Sequence, residues 1–212
     1  GGALSGKLPA VRAVQLGVLF ELIGVAGIAL VASTEGGWAP VAPFLLLYGI
    51  GVGLATAQLT GVIMTDVPMN KIGQASGSQS TVRQIGSALG IAVLGTILFT
   101  ATQSAAETRL MATEALSSMP AAQQAEFIAG LSTTVVDSSG GFLPMIEPTL
   151  LDAGAPEEVA AEIQKAANDG FTDGVKATGW AAAAFLFLGL LSTLSMGARR
   201  RPEDKKVSKA TV

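Results

Sequence analysis

The sequence predicts an all-α membrane protein with four transmembrane helices and an extracellular helical insertion between the third and the fourth. Three observations predict it. Half of the 212 residues are hydrophobic and only 14% are charged, against about 25% charged in a typical soluble domain. Four segments are apolar over the roughly 20 residues that a helix needs to cross a bilayer. The basic residues also fall on one side of those segments.

The first span covers about residues 13–33 and carries one charge, Glu21. The second covers about 40–65 and is uncharged. The third covers about 79–102 and has Arg83 near its start. Residues 177–198 form the fourth, without a charge. A soluble core is excluded, because four such stretches leave too little polar face to meet water. Trp38 and Trp180 lie at span ends, where an amphipathic ring is favoured.

Charge sets the orientation. The connections on the side of the C-terminus hold Lys7, Arg12, Lys71, Arg83, Arg199, Arg200, Arg201, Lys205, Lys206 and Lys209, ten of the thirteen Lys and Arg. The positive-inside rule places both termini in the cytoplasm, and four spans require both ends on one side. The basic tail 199–212 then serves as an orientation signal that contacts anionic lipid. Its Arg run is too short to predict nucleic-acid binding.

Residues 103–176 are thereby expected outside. They carry eleven acids against Arg109, Lys165 and Lys176. Pro120 suits the first turn of a short helix reaching about Val135, and Ser138 to Gly141 ends it. Pro156 with Glu157 and Glu158 starts another helix, expected to run into the fourth span with a possible break at Gly170.

No cysteine or histidine occurs, so thiolate metal sites are excluded and proton chemistry falls to carboxylates. No enzyme, cofactor or metal is predicted. Glu21 lies about 12 Å into its span at about 1.5 Å per residue. A carboxylate there is costly and marks an ion or substrate path, although it could also be a protonated structural hydrogen-bonding group. It is the candidate for proton or cation coupling. Arg83 either snorkels to the headgroups or pairs with Asp66 at the inner side, where Gln84 also lies. These three are the candidate gating or structural residues. Gln58 and Gln79 are expected to line a cavity or bond between helices. Gly49, Gly53, Ala57 and Gly61 fall four apart, as do Gly86 and Gly90, and are read as helix-packing positions. The Gly49–Gly53 run is no nucleotide loop, because it lies within an apolar span.

The stretch Gly73-Gln-Ala-Ser-Gly77 followed by Arg83-Gln84-Ile-Gly86-Ser-Ala-Leu-Gly90 resembles the C-terminal region of fourteen-span drug:proton antiporters of the major facilitator superfamily, the QacA/EmrB type. Gly6-Lys7-Leu8-Pro9-Ala10-Val11-Arg12 sits where that family has a Gly-rich basic loop, but the acidic residue of that loop pattern is absent. Asp137 to Gly141 and Phe171 to Val175 are similar to actinobacterial members with a large loop before the last helix. The resemblance implies the last four of fourteen spans, working by alternating access in a bacterial plasma membrane. It implies protons, membrane lipid, hydrophobic or cationic small molecules and the remaining transporter helices as partners. The chain starts on Gly without a charged segment before a short apolar stretch, so it is expected to lack a signal peptide and to begin inside a longer protein. Two other readings are a non-transporting scaffold or assembly subunit presenting its acidic external domain, and a metabolite carrier of the same superfamily.

Overall fold

In a computed structural model, residues 9–34, 36–65 and 67–197 are described, with the side chains of 195–197 outside the description. The expected all-α fold with four spans is the fold observed. The helices are α1 (Ala10–Val31), α2 (Ala42–Met64), α3 (Ile72–Met111), α4 (Glu114–Ser117), α5 (Ala121–Asp137), α6 (Ile146–Asp152) and α7 (Glu157–Gly197). Helices α1, α2, α3 and α7 are long and apolar enough to cross a membrane.

Prolines set several of the starts. Pro9 precedes α1, and its carbonyl accepts the N–H groups of Arg12 and Ala13. Pro43 stands in the first turn of α2, where a missing N–H leaves no bond unmade. No proline occurs between Met69 and Met119, and α3 continues for 40 residues, about 60 Å at 1.5 Å per residue. Helix α7 starts at Glu157 with two acids in its first turn and runs 41 residues. Acids there complement the positive end of the helix dipole.

Helix α1 packs between α2 and α7, and α3 packs on α7, whereas α2 and α3 scarcely touch. Small residues permit the close pairs. A Cβ on Gly17 would meet the Ala55 backbone nitrogen at 2.6 Å, one on Gly24 the Tyr48 nitrogen at 2.8 Å, and one on Gly51 the Gly17 carbonyl at 2.6 Å. Gly27 lies under the Phe44 ring. On the opposite flank Gly179 faces Ala29, and Gln15 Nε2 donates to the Thr193 carbonyl at 3.0 Å. Residues 15 and 29 therefore oppose 193 and 179, so α1 and α7 are antiparallel. The start of α1 and the end of α7 share one end of the bundle.

Residues 103–156 and the first half of α7 form a separate helical layer with its own core. Leu110, Leu116, Ile128, Val135, Leu143, Ile146 and Ile163 are buried together. Each contributes about 1.5–3 kcal/mol relative to exposure. Helix α5 ends in a Schellman turn. Gly140 N–H donates to the Val135 carbonyl and Ser139 N–H to that of Val136, both at 2.8 Å, with φ of +81° at Gly140 and +51° at Ser139. This is the 6→1 and 5→2 pattern of that motif. The Phe171 ring packs against Gly140 and leaves no room for a Cβ.

Helix α7 does not break at Gly170. Gly170 and Gly174 instead let α7 lie directly on Ala106 and Thr102 of α3. Glycine weakens a helix interior by about 1 kcal/mol, and the close contact it allows offsets that loss.

Candidate functional site: a cavity among the four spans

Because α2 and α3 touch only slightly, the four long helices line a half-open cavity of about 520 Å³. Helix α1 contributes Glu21 and Val25, α2 contributes Tyr48, and α7 contributes Ala182, Phe185 and Leu186. Helix α3 contributes Gly86, Leu89, Gly90, Val93 and Leu94. The volume falls in the range of about 300–1,000 Å³ typical of small-molecule sites.

Among the described residues, Glu21 is the only ionisable side chain on this wall apart from the Tyr48 phenol. Its backbone is held by the α1–α2 contact, since a Cβ on Gly51 would lie 2.7 Å from the Glu21 nitrogen. Gly24 against the Tyr48 backbone nitrogen and Cβ holds that residue's backbone in the same way. Glu21 is half-buried and lines the cavity from a close-packed helix pair. The rest of the lining is apolar, and the arrangement can hold an apolar molecule carrying one positive charge. Aromatic faces at Tyr48 and Phe185 would add cation–π attraction.

The structure brings together three of the residues singled out in the sequence: Glu21, Gly86 and Gly90. Arg83 lies one turn before Gly86 on the same stripe of α3, because i, i+3 and i+7 share a helix face. It and Gln84 are exposed. Asp66 lies outside the described residues, and with it the expected pair with Arg83. So do the loop before Pro9 and the tail 198–212. Gln79 does bond between helices, with Nε2 donating to Thr60 Oγ1 at 3.3 Å. Among the described residues no helix packs closely on Gly49, Gly53 or Gly61, because a Cβ on any of them would meet nothing within 4 Å. The contact is made by Gly17, Gly24, Gly27 and Gly51 instead. Gly17 and Gly24 stand seven apart, a heptad spacing that could have marked α1 as a packing helix. Among the described residues, no group of three or more carboxylates gathers as a metal site.

Fold and cavity define a multi-pass α-helical membrane protein. Residues 1–91 match the family model of the Major Facilitator Superfamily. The chain is similar to "Multidrug resistance protein Stp" of Mycobacterium tuberculosis, at 38% identity over 97 residues, 46% of this chain and 18% of that protein. It is also similar to the "Tetracycline resistance determinant" of Streptomyces rimosus, at 31% over 100 residues, 46% of this chain and 27% of that protein. A third relative is the "Probable actinorhodin transporter" of Streptomyces coelicolor, at 31% over 102 residues, 46% of this chain and 18% of that protein. The matched segment thus spans about a fifth to a quarter of the length of these relatives. No solved structure matches the chain.

Proposed function

We propose that this chain is the C-terminal part of a bacterial, proton-coupled multidrug efflux transporter of the fourteen-span type, working by alternating access. The observation that carries the reading is Glu21 on the wall of an otherwise apolar cavity formed by all four spans. The similarity of the chain to resistance and export proteins supports it. In this reading the partners are the remaining helices of the full-length transporter, membrane lipid, protons and a hydrophobic or cationic small molecule.

The apolar faces of α2 and α3 fit the same reading. Leu45, Leu46 and Ile50 on α2, and Val82, Ile85 and Ile91 on α3, are exposed. Gly49, Gly53 and Gly61 lie open beside the α2 residues. The missing helices pack there, against small residues that allow close approach. Both termini are cytoplasmic, and residues 103–176 cap the outer face.

Glu21 binds a proton in one step and the cationic group of the cargo in another. A carboxylate can change charge and so couple the two flows, whereas an amide in its place cannot. In the full-length protein, Glu21→Gln is expected to reduce pH-gradient-driven efflux at least tenfold with expression unchanged. Efflux equal to wild type for every compound tried would remove Glu21 from the mechanism.

A further inference from the structure

Helix α3 contributes the two glycines of the cavity wall. Gly86 and Gly90 stand one turn apart on the helix face that lines it, and a Cβ added at either would meet nothing within 4 Å. Elsewhere in this bundle the close-packed glycines are filled spaces. Gly17, Gly24 and Gly51 would each bring a Cβ within 3 Å of another helix. At 86 and 90 the missing side chains leave open volume, and that volume belongs to the compartment that Glu21 faces. The neighbouring wall positions on α3 carry full-sized side chains, Leu89 and Val93. The glycine pair is therefore a recess in an apolar wall.

We propose that Gly86 and Gly90 set the upper size limit of the molecules this cavity admits. The proposal rests on the functional reading above. The cationic centre lies toward Glu21, and the apolar bulk lies in the recess between Tyr48 and Phe185. A side chain at 86 or 90 fills the recess. It reduces the room for bulk without touching the carboxylate, so small cations still fit. Phe185 borders the same space from α7, and shortening it enlarges the compartment.

The test uses the full-length transporter in everted membrane vesicles. Three probes of rising bulk are compared: tetraethylammonium, methyltriphenylphosphonium and tetraphenylphosphonium. Gly90→Leu and Gly86→Leu are expected to lower kcat/KM for tetraphenylphosphonium at least tenfold while tetraethylammonium changes less than threefold. Gly90→Ala gives a smaller shift in the same order, and Phe185→Ala shifts preference toward the largest probe. Gly95→Leu, also open but outside the cavity lining, leaves the ranking unchanged. An equal loss for all three probes in the Gly86 and Gly90 variants, or an unaltered ranking in those variants and in Phe185→Ala, overturns the proposal. Wild-type vesicles that transport none of the three overturn it together with the functional reading. Wild-type transport with an unaltered ranking overturns the size limit alone.

Discussion

Gly51 decides how near α1 and α2 come at Glu21. An added methyl would meet two backbone atoms, the Gly17 carbonyl at 2.6 Å and the Glu21 nitrogen at 2.7 Å, and neither can rotate away. Gly51→Ala is therefore expected to lower stability by about 1–3 kcal/mol, the usual cost of overpacking, seen as a lower melting temperature of the full-length protein in detergent. An unchanged melting temperature would mean that the helices do not touch there. Glu162 acts by hydrogen bonding. Its carboxylate accepts the N–H of Glu114 at 2.8 Å and of Ala115 at 3.1 Å, and so caps α4. Losing such a cap costs about 1 kcal/mol, roughly a fivefold change in an equilibrium. Glu162→Ala should accelerate hydrogen exchange at residues 114–115 by about that factor, and unchanged exchange would contradict the cap. Glu21 was legible in the sequence because a lone charge in an apolar span is conspicuous. The contact glycines were less so. Spacing tells where a helix can be approached, not which helix approaches, and the regular stripe at 49, 53 and 61 is open while the sparser set at 17, 24 and 27 is filled.

Two long helices tie the membrane layer to the insertion. Helices α3 and α7 cross the boundary without interruption, in contact through Gly170 on Ala106 and Gly174 on Thr102. Thr102 is 2% exposed, and its Oγ1 has no hydrogen-bond partner among the described residues. A buried polar group left unpaired costs about 1–3 kcal/mol. Thr102→Val keeps the shape and removes the hydroxyl, so it should leave the melting temperature unchanged or raise it. A fall equivalent to more than about 1 kcal/mol would show that the hydroxyl does bond. The ion pair between Arg109 and Asp173, at 2.7 Å with both side chains more than 40% exposed, is expected to matter little, since exposed pairs contribute about 0–1 kcal/mol. Pro120 and the Ser-Gly run made the start and end of α5 readable, and Pro156 with its acids the start of α7. The continuity of α7 at Gly170 was not. Whether a glycine breaks a helix or seats it on a neighbour depends on the neighbour, and Ala106 is 64 residues away in the chain.

At the scale of the whole molecule, charge and packing make separate statements that agree. The antiparallel register of α1 with α7 puts the start of one and the end of the other at the same end of the bundle. Under the proposed function, the excess of Lys and Arg beside those ends assigns that end to the cytoplasm. This chain has no cysteine, so single cysteines report topology without background from it. In a cysteine-free full-length protein, Glu126→Cys on α5 should react with a membrane-impermeant maleimide in intact cells, and Asn70→Cys only after lysis. The reverse pattern would invert the orientation. The four spans and the fold class were legible from apolar length alone. The cavity was not, because it arises where α2 and α3 touch only slightly, and such sparse packing leaves no mark on either sequence. The central claim is that Glu21 exchanges a proton for a cationic molecule within that cavity. The direct measurement is proton release from the purified, weakly buffered full-length protein when tetraphenylphosphonium is added, followed with a pH indicator. Wild type is expected to release protons in proportion to ligand bound, and Glu21→Gln to bind with that release lost. Release from Glu21→Gln equal to that of wild type would contradict the account.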